Sequence, residues 1–296
     1  MRFIPPLSIL AILAGCAPAR LSNAPPAPLA PTLINQVGME FVLIRPGSMV
    51  VGRFQPECPV PGPGGVPRLP GSTPSTDTSA PPDPRTVWTD ADYALCHELV
   101  QRDAMPGFAV SIDQPFYIGK FEVTQAEWKR VMSTNPSTFQ GAKVTGDADR
   151  HPVDSVSWDD AHEFIRRLNR MDRSAHYRLP TEFEWEYAAR ADAEGDLLWS
   201  SAREQAQTSQ LSTFAVGQKI PNAWGLYDTL GNVWEWVDDF YNEKLFADPT
   251  PPLSGSAHVL KGASFVGDVK NLTYTTHGAG PANGWDVGFR VVREAR

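Results

Sequence analysis

The sequence predicts a loop-rich globular fold of short strands and a few capped helices. Three observations predict it. Twenty-eight prolines and 23 glycines in 296 residues interrupt long regular elements. Short apolar runs of strand length alternate with helical stretches that open on capping residues. A hydrophobic content of 42% is enough to build a core, and nine tryptophans are many for this length. The formal charge of -8, with no run rich in lysine or arginine, leaves no electrostatic footprint for a nucleic-acid partner.

The chain opens on an export signal. Met1-Arg2 is followed by the mostly apolar stretch from Phe3 to Leu13, then Leu13-Ala14-Gly15-Cys16, a lipobox. The apolar stretch falls short of the ~20 residues of a membrane-spanning helix, and Pro5-Pro6 would break a longer one. Residues 1-15 are therefore expected to be a lipoprotein signal peptide. Lipidation at Cys16 is expected to tether the rest to a membrane, with the folded part facing the periplasm. Ala17, where an aspartate would retain the protein at the inner membrane, favours the outer one. Residues 16-33 are an Ala/Pro-rich linker.

Ordered sequence is expected over 34-296. Glu40 to Ile44, Pro46-Gly47, and Met49 to Gly52 read as a strand, a turn and its return, a hairpin. A Pro/Gly-rich insertion follows at about 53-106, with a short helix expected from Asp90 to Gln101. Its Cys58 and Cys96, an even pair in an exported chain, are expected to form a disulfide, because a metal reading with His97 lacks further ligands. Closing that loop contributes roughly 3 to 4 kcal/mol on the chain-entropy model.

Phe116 to Lys120 reads as a strand. Thr124 with Glu127 forms a capping box for a helix through Met132, Ser157 opens a second helix to about Met171, and Thr181 with Glu184 caps a third to Arg190. The segments from Pro221 to Asp228 and from Gly231 to Trp236 are irregular and aromatic. Val259 to Phe265 and Val287 to Val292 read as closing strands.

Taken in order, these segments resemble the formylglycine-generating enzyme, or sulfatase-modifying factor, family. Tyr177-Arg178-Leu179-Pro180-Thr181-Glu182, Glu184-Trp185-Glu186-Tyr187-Ala188-Ala189, and the run from Gly225-Leu226-Tyr227-Asp228 to Gly231-Asn232-Val233-Trp234-Glu235-Trp236 carry the likeness. The resemblance implies an α+β, C-type-lectin-like fold rich in irregular structure. It also implies a copper site of two cysteines between the strand at Lys261 to Phe265 and that at Gly288 to Val291. Val266 to Val287 contains no cysteine. Threonine or histidine does not replace the soft thiolates of a Cu(I) site, so no copper and no formylglycine generation are expected. The histidine-bound iron of related sulfoxide synthases would need a further helical domain, for which the chain has no room.

For a structural calcium, the resemblance implies Asp228, Gly231, Val233 and Glu235, an oxygen-only set suited to a hard ion. If chemistry occurs, its pocket is expected among the loops of 266-287 and the aromatic turn, which makes His277, Tyr274, Asp286 and Trp285 the catalytic candidates. Two functions follow from the resemblance. A cysteine-less branch of the family works in the periplasm on maturation of the siderophore pyoverdine, and a single-domain chain of this size is similar to it; that implies an oxidoreductase tailoring a small molecule. The alternative is a binding module, an accessory lipoprotein of an envelope, secretion or gliding complex, holding a peptide ligand or an envelope protein.

Overall fold

The computed structural model describes residues 31-52, 58-62, 65-68, 87-103, 107-193, 204-208, 210-246, 249-250, 252-268, 272-280 and 283-295. The signal segment and Cys16 lie outside the described residues. Among those described, no helix is long and apolar enough to cross a membrane.

Two main sheets and a two-stranded ribbon frame the molecule. Strands β1 (Thr32–Ile34), β2 (Glu40–Ile44), β5 (Phe116–Gly119), β11 (Val292–Glu294) and β6 (Tyr177–Arg178) form one sheet in the order β1-β2-β5-β11-β6. The second sheet runs β10-β7-β8-β9, from β10 (Val287–Phe289), β7 (Trp234–Phe240), β8 (His258–Lys261) and β9 (His277–Ala279). In it β10 runs parallel to β7, and the remaining pairs are antiparallel. The ribbon is β3 (Gly47–Val51) with β4 (Phe108–Ile112).

The expected hairpin of β2 with β3 does not form. β2 pairs with β1 and β5, whereas β3 pairs with β4, so Pro46 and Gly47 turn a corner between sheets. Proline cannot continue a ladder, and a side chain on Gly47 would run into the Tyr187 hydroxyl. The insertion is thus the loop of a different hairpin, β3 to β4. Within it, α1 spans Asp90–Asp103, and Cys58 is disulfide-bonded to Cys96 with Cα atoms 5.9 Å apart.

The three remaining helices start where the capping residues place them. Thr124, Ser157 and Thr181 each accept from the backbone N–H three residues on, while Glu127, Asp160 and Glu184 reach back, before α2 (Gln125–Met132), α3 (Trp158–Met171) and α4 (Glu182–Arg190). α2 and α3 press Trp128 and Phe164 together, with ring centroids 5.5 Å apart, against Phe289 and beside Phe41 and Tyr177. α4 is buried on nearly every side. Trp185 and Ala189 face the second sheet through Val237 and Val259, while Tyr187 and Ala188 face the first through Ile44, Ile118 and Val292. Charged residues on such a helix require partners.

Two further expectations are corrected. The run at Trp234 to Trp236, read as irregular, begins β7, an interior strand of the second sheet. Glu235, Trp236 and Val237 are consecutively buried, which removes the alternation by which a half-exposed strand is recognised. Val287 to Val292, read as one strand, is split: β10 lies in the second sheet and β11 in the first, and Arg290 and Val291 make the crossing.

Candidate functional site

The aromatic turn between Tyr227 and Trp234 is a left-handed knot. Asp228, Gly231 and Asn232 all have positive φ, and a Cβ on Gly231 would strike the backbone of Gln207. Glu122, just after β5, holds the turn from below: Oε2 accepts from Asn232 Nδ2 at 2.6 Å and Oε1 from the Val233 N–H at 3.1 Å. Arg290, at the sheet crossing, donates from Nε and Nη2 to the two oxygens of Glu235, both at 2.6 Å, and Trp185 Nε1 donates to Glu235 Oε2. All of these side chains are buried.

Three carboxylates, Glu122, Asp228 and Glu235, thus share one guanidinium. Burial, reinforced by Asp228 and Glu235, pushes the Glu122 carboxyl well above its ordinary range. Burial likewise pushes Asp228 up to about 6. Asp228 Oδ2 accepts from the Gly217 N–H at 2.7 Å, whereas its Oδ1 is buried with no hydrogen-bond partner. Excess negative charge and an orphaned oxygen fit a hard cation at this turn, although Glu235 would have to share its carboxylate with Arg290. Among the described residues, no three His, Cys, Asp or Glu side chains converge as a metal set, so backbone carbonyls would supply the balance.

A second buried ionic cluster sits on α4. Glu182, Glu186 and Arg190 recur every four residues on one face. Arg190 donates from Nε and Nη2 to Glu186 Oε1, and Lys261 Nζ lies 3.0 Å from Glu186 Oε2 and 3.6 Å from Glu182 Oε1. Lys261 has no exposed side-chain surface. His277 Nδ1 approaches Glu182 Oε1 to 3.1 Å. Burial would raise Glu182, but His277 and Lys261 outweigh it and hold the carboxyl below its usual value. Sequence reading missed this cluster because Glu182 and Glu186 have capping and surface explanations; the four-residue spacing with a lysine on an apolar strand was the available signal.

The four catalytic candidates fall into two groups. Tyr274 is buried in the core against α4, under the Arg190 guanidinium, and His277 opens β9 against Tyr241 and Phe246. Trp285 is half exposed and packs on Phe139 and Phe265, while Asp286 Oδ2 accepts from Ser264 Oγ at 2.7 Å just ahead of β10. β9 and β10 are opposite edges of one sheet with β7 and β8 between them. Three strand spacings are about 14 Å. His277, on β9, and Asp286, just ahead of β10, therefore lie at opposite edges of this sheet.

Two concavities lie elsewhere. One, of about 540 Å³, runs between β4 and the start of α4; the other, of about 260 Å³, is lined by Met49, Tyr187, Arg190 and Asp192 and touches the second ionic cluster. None of the candidate residues lines either.

Comparison with known proteins places this geometry. A family described as "Sulfatase-modifying factor enzyme 1-like domain" matches residues 35–295. The formylglycine-generating enzyme of Streptomyces coelicolor is 36% identical over 208 residues, which is 60% of this chain and 60% of that protein. Chaperone protein LppX of Paenibacillus barcinonensis is 30% identical over 236 residues, 60% of this chain and 80% of that one. Among solved structures, PvdO from Pseudomonas aeruginosa (TM-score 0.65, 20% identity) covers 90% of this chain and 99% of its own. Treponema denticola variable protein 1 (TM-score 0.66, 22% identity) covers 91% and 100%. The likenesses establish the α+β, C-type-lectin-like architecture of formylglycine-generating enzymes.

Proposed function

The chain belongs to the sulfatase-modifying factor enzyme 1-like domain family, and from that premise we propose that it is an exported accessory lipoprotein that works by binding. It does so without the thiol-copper chemistry of the family's catalytic members. The observation that carries this reading is the separation of His277 and Tyr274 from Trp285 and Asp286 across the second sheet. The absence of any cysteine from Val266 to Val287 supports it, as does a relative named as a chaperone that aligns over most of its own length. Lipidation of Cys16 holds the domain at the outer membrane; Cys16→Ser is expected to move it from the membrane to the soluble envelope fraction.

Deletion of the gene in its host tests the reading. The expected result is loss or misfolding of particular exported proteins with an unchanged profile of secreted metabolites. Accumulation of a dihydro siderophore precursor would contradict it. That outcome belongs to a second reading, an oxidoreductase tailoring a metabolite such as pyoverdine, which one observation favours: half-exposed Trp285, backed by Phe139 and Phe265, offers a platform on which a flat chromophore could stack.

We also propose a structural calcium at the aromatic turn, held by Asp228, the carbonyls of Gly231 and Val233, and a shared Glu235. Asp228→Ala is the cleaner test than a change at Glu235, which would also leave Arg290 buried without its partner. Calcium is expected to raise the melting temperature of the native chain and not that of Asp228→Ala. Equal response, or none in either, contradicts the site.

A further inference from the structure

The cleft of about 540 Å³ beside β4 is lined by neither the aromatic turn nor any of the four catalytic candidates. Its size is that of a ligand site, and its construction is unusual. Val110, Ser111 and Ile112 of β4, the turn after them and Phe116 of β5 line it in an unbroken run. Side chains of a strand alternate between faces, so three consecutive residues of β4 lining the cleft mean that this strand presents its edge there. Among the described residues, β4 pairs with β3 and with no other strand. Arg178 of β6 and Glu294 of β11 also line the cleft, Glu294 as the ladder partner of Phe116, and β6 is itself the last strand of its sheet.

The charge of the cleft is set by one guanidinium and three carboxylates. Arg178 donates to both oxygens of Glu184 at 2.6 Å, so its charge is already matched. Glu294 is 45% exposed at its side chain, 3.6 Å from Arg178 Nε and 3.2 Å from His176, and Asp113 is exposed at the mouth. The rim therefore carries excess negative charge. Val110, Phe116 and Phe183 supply apolar lining.

An open strand edge, an apolar wall and an acidic rim together describe a complement with three properties: extended backbone, apolar residues on one face and cations on the other. We propose that this cleft takes an extended lysine- or arginine-bearing peptide segment, added as a strand along the edge of β4. Backbone hydrogen bonds supply the affinity, and Glu294 and Asp113 select the basic side chains. The proposal rests on the binding reading above, and the two fail separately: exported proteins lost on gene deletion, with no peptide bound here, would leave that reading standing and overturn this one.

The test is titration of the full chain with a fluorescently labelled decapeptide alternating valine and lysine. Saturable binding is expected, weakening as salt is raised. Replacing every lysine by glutamate, or the double change Asp113→Lys with Glu294→Lys, is expected to weaken it at least about tenfold. Methylating alternate backbone nitrogens in one phase is expected to abolish binding, while the other phase leaves it intact. A photoreactive residue in the peptide should cross-link to residues 110-116. No saturable binding, indifference to both methylation phases or to charge reversal, or cross-links mapping elsewhere overturns the proposal.

Discussion

Lys261 is fully buried and lies against Glu186 and Glu182, beneath the Trp185 ring. Removing one partner of such a pair strands the other in low dielectric, at a cost of about 3 to 5 kcal/mol. Lys261→Met is therefore expected to lower stability to chemical denaturation by up to that order, since Glu186 keeps Arg190 as a partner while Glu182 loses its nearest ammonium. Asp239 gives a pH test. Its Oδ2 accepts from the Glu182 N–H at 2.6 Å, and burial, with repulsion from Glu182, pushes its carboxyl up to about 6. The folded state thus holds this proton between the unfolded value near 3.8 and about 6, so its contribution grows as pH falls through that window. Asp239→Asn is expected to flatten the pH dependence of unfolding there by on the order of 1 kcal/mol, the full effect being reduced by solvent at a partly exposed group. A slope unchanged in the variant would contradict the assignment.

At the scale of elements, the helices were legible and the strands were less so. Thr124, Ser157 and Thr181 announce their helices because a cap is a local bond between residues three apart. Strand partners are not local. β2 and β3 look like a hairpin from their spacing, yet corner formation at Gly47 sends them to separate sheets, and the crossing at Arg290 does the same to β10 and β11. The aromatic turn was legible as a unit, but Glu122, which closes it from 110 residues away, was not. Thr181→Ala should cost about 1 kcal/mol, since it removes one N-cap bond. The Cys58–Cys96 bond lies wholly inside the loop joining β3 to β4. Reduction is therefore expected to expose the insertion to protease before the two sheets are cut, as peptide mapping would reveal; simultaneous loss of both would mean that the insertion supports the core.

For the whole molecule, family membership explains the architecture. Two of the charged catalytic candidates contact groups within the fold: His277 lies against Glu182, and Asp286 accepts from Ser264. Among the described residues, the β4 cleft and half-exposed Trp285 are the surfaces on which the proposed binding is placed. The central claim, that this family domain works without thiol-copper oxidation, has a direct test. The purified chain would be incubated with Cu(I), oxygen and a cysteine-containing peptide of the kind the catalytic members oxidise, and the peptide read by mass spectrometry with an aldehyde-reactive probe. The account predicts that the cysteine is recovered unchanged; turnover to formylglycine would contradict it.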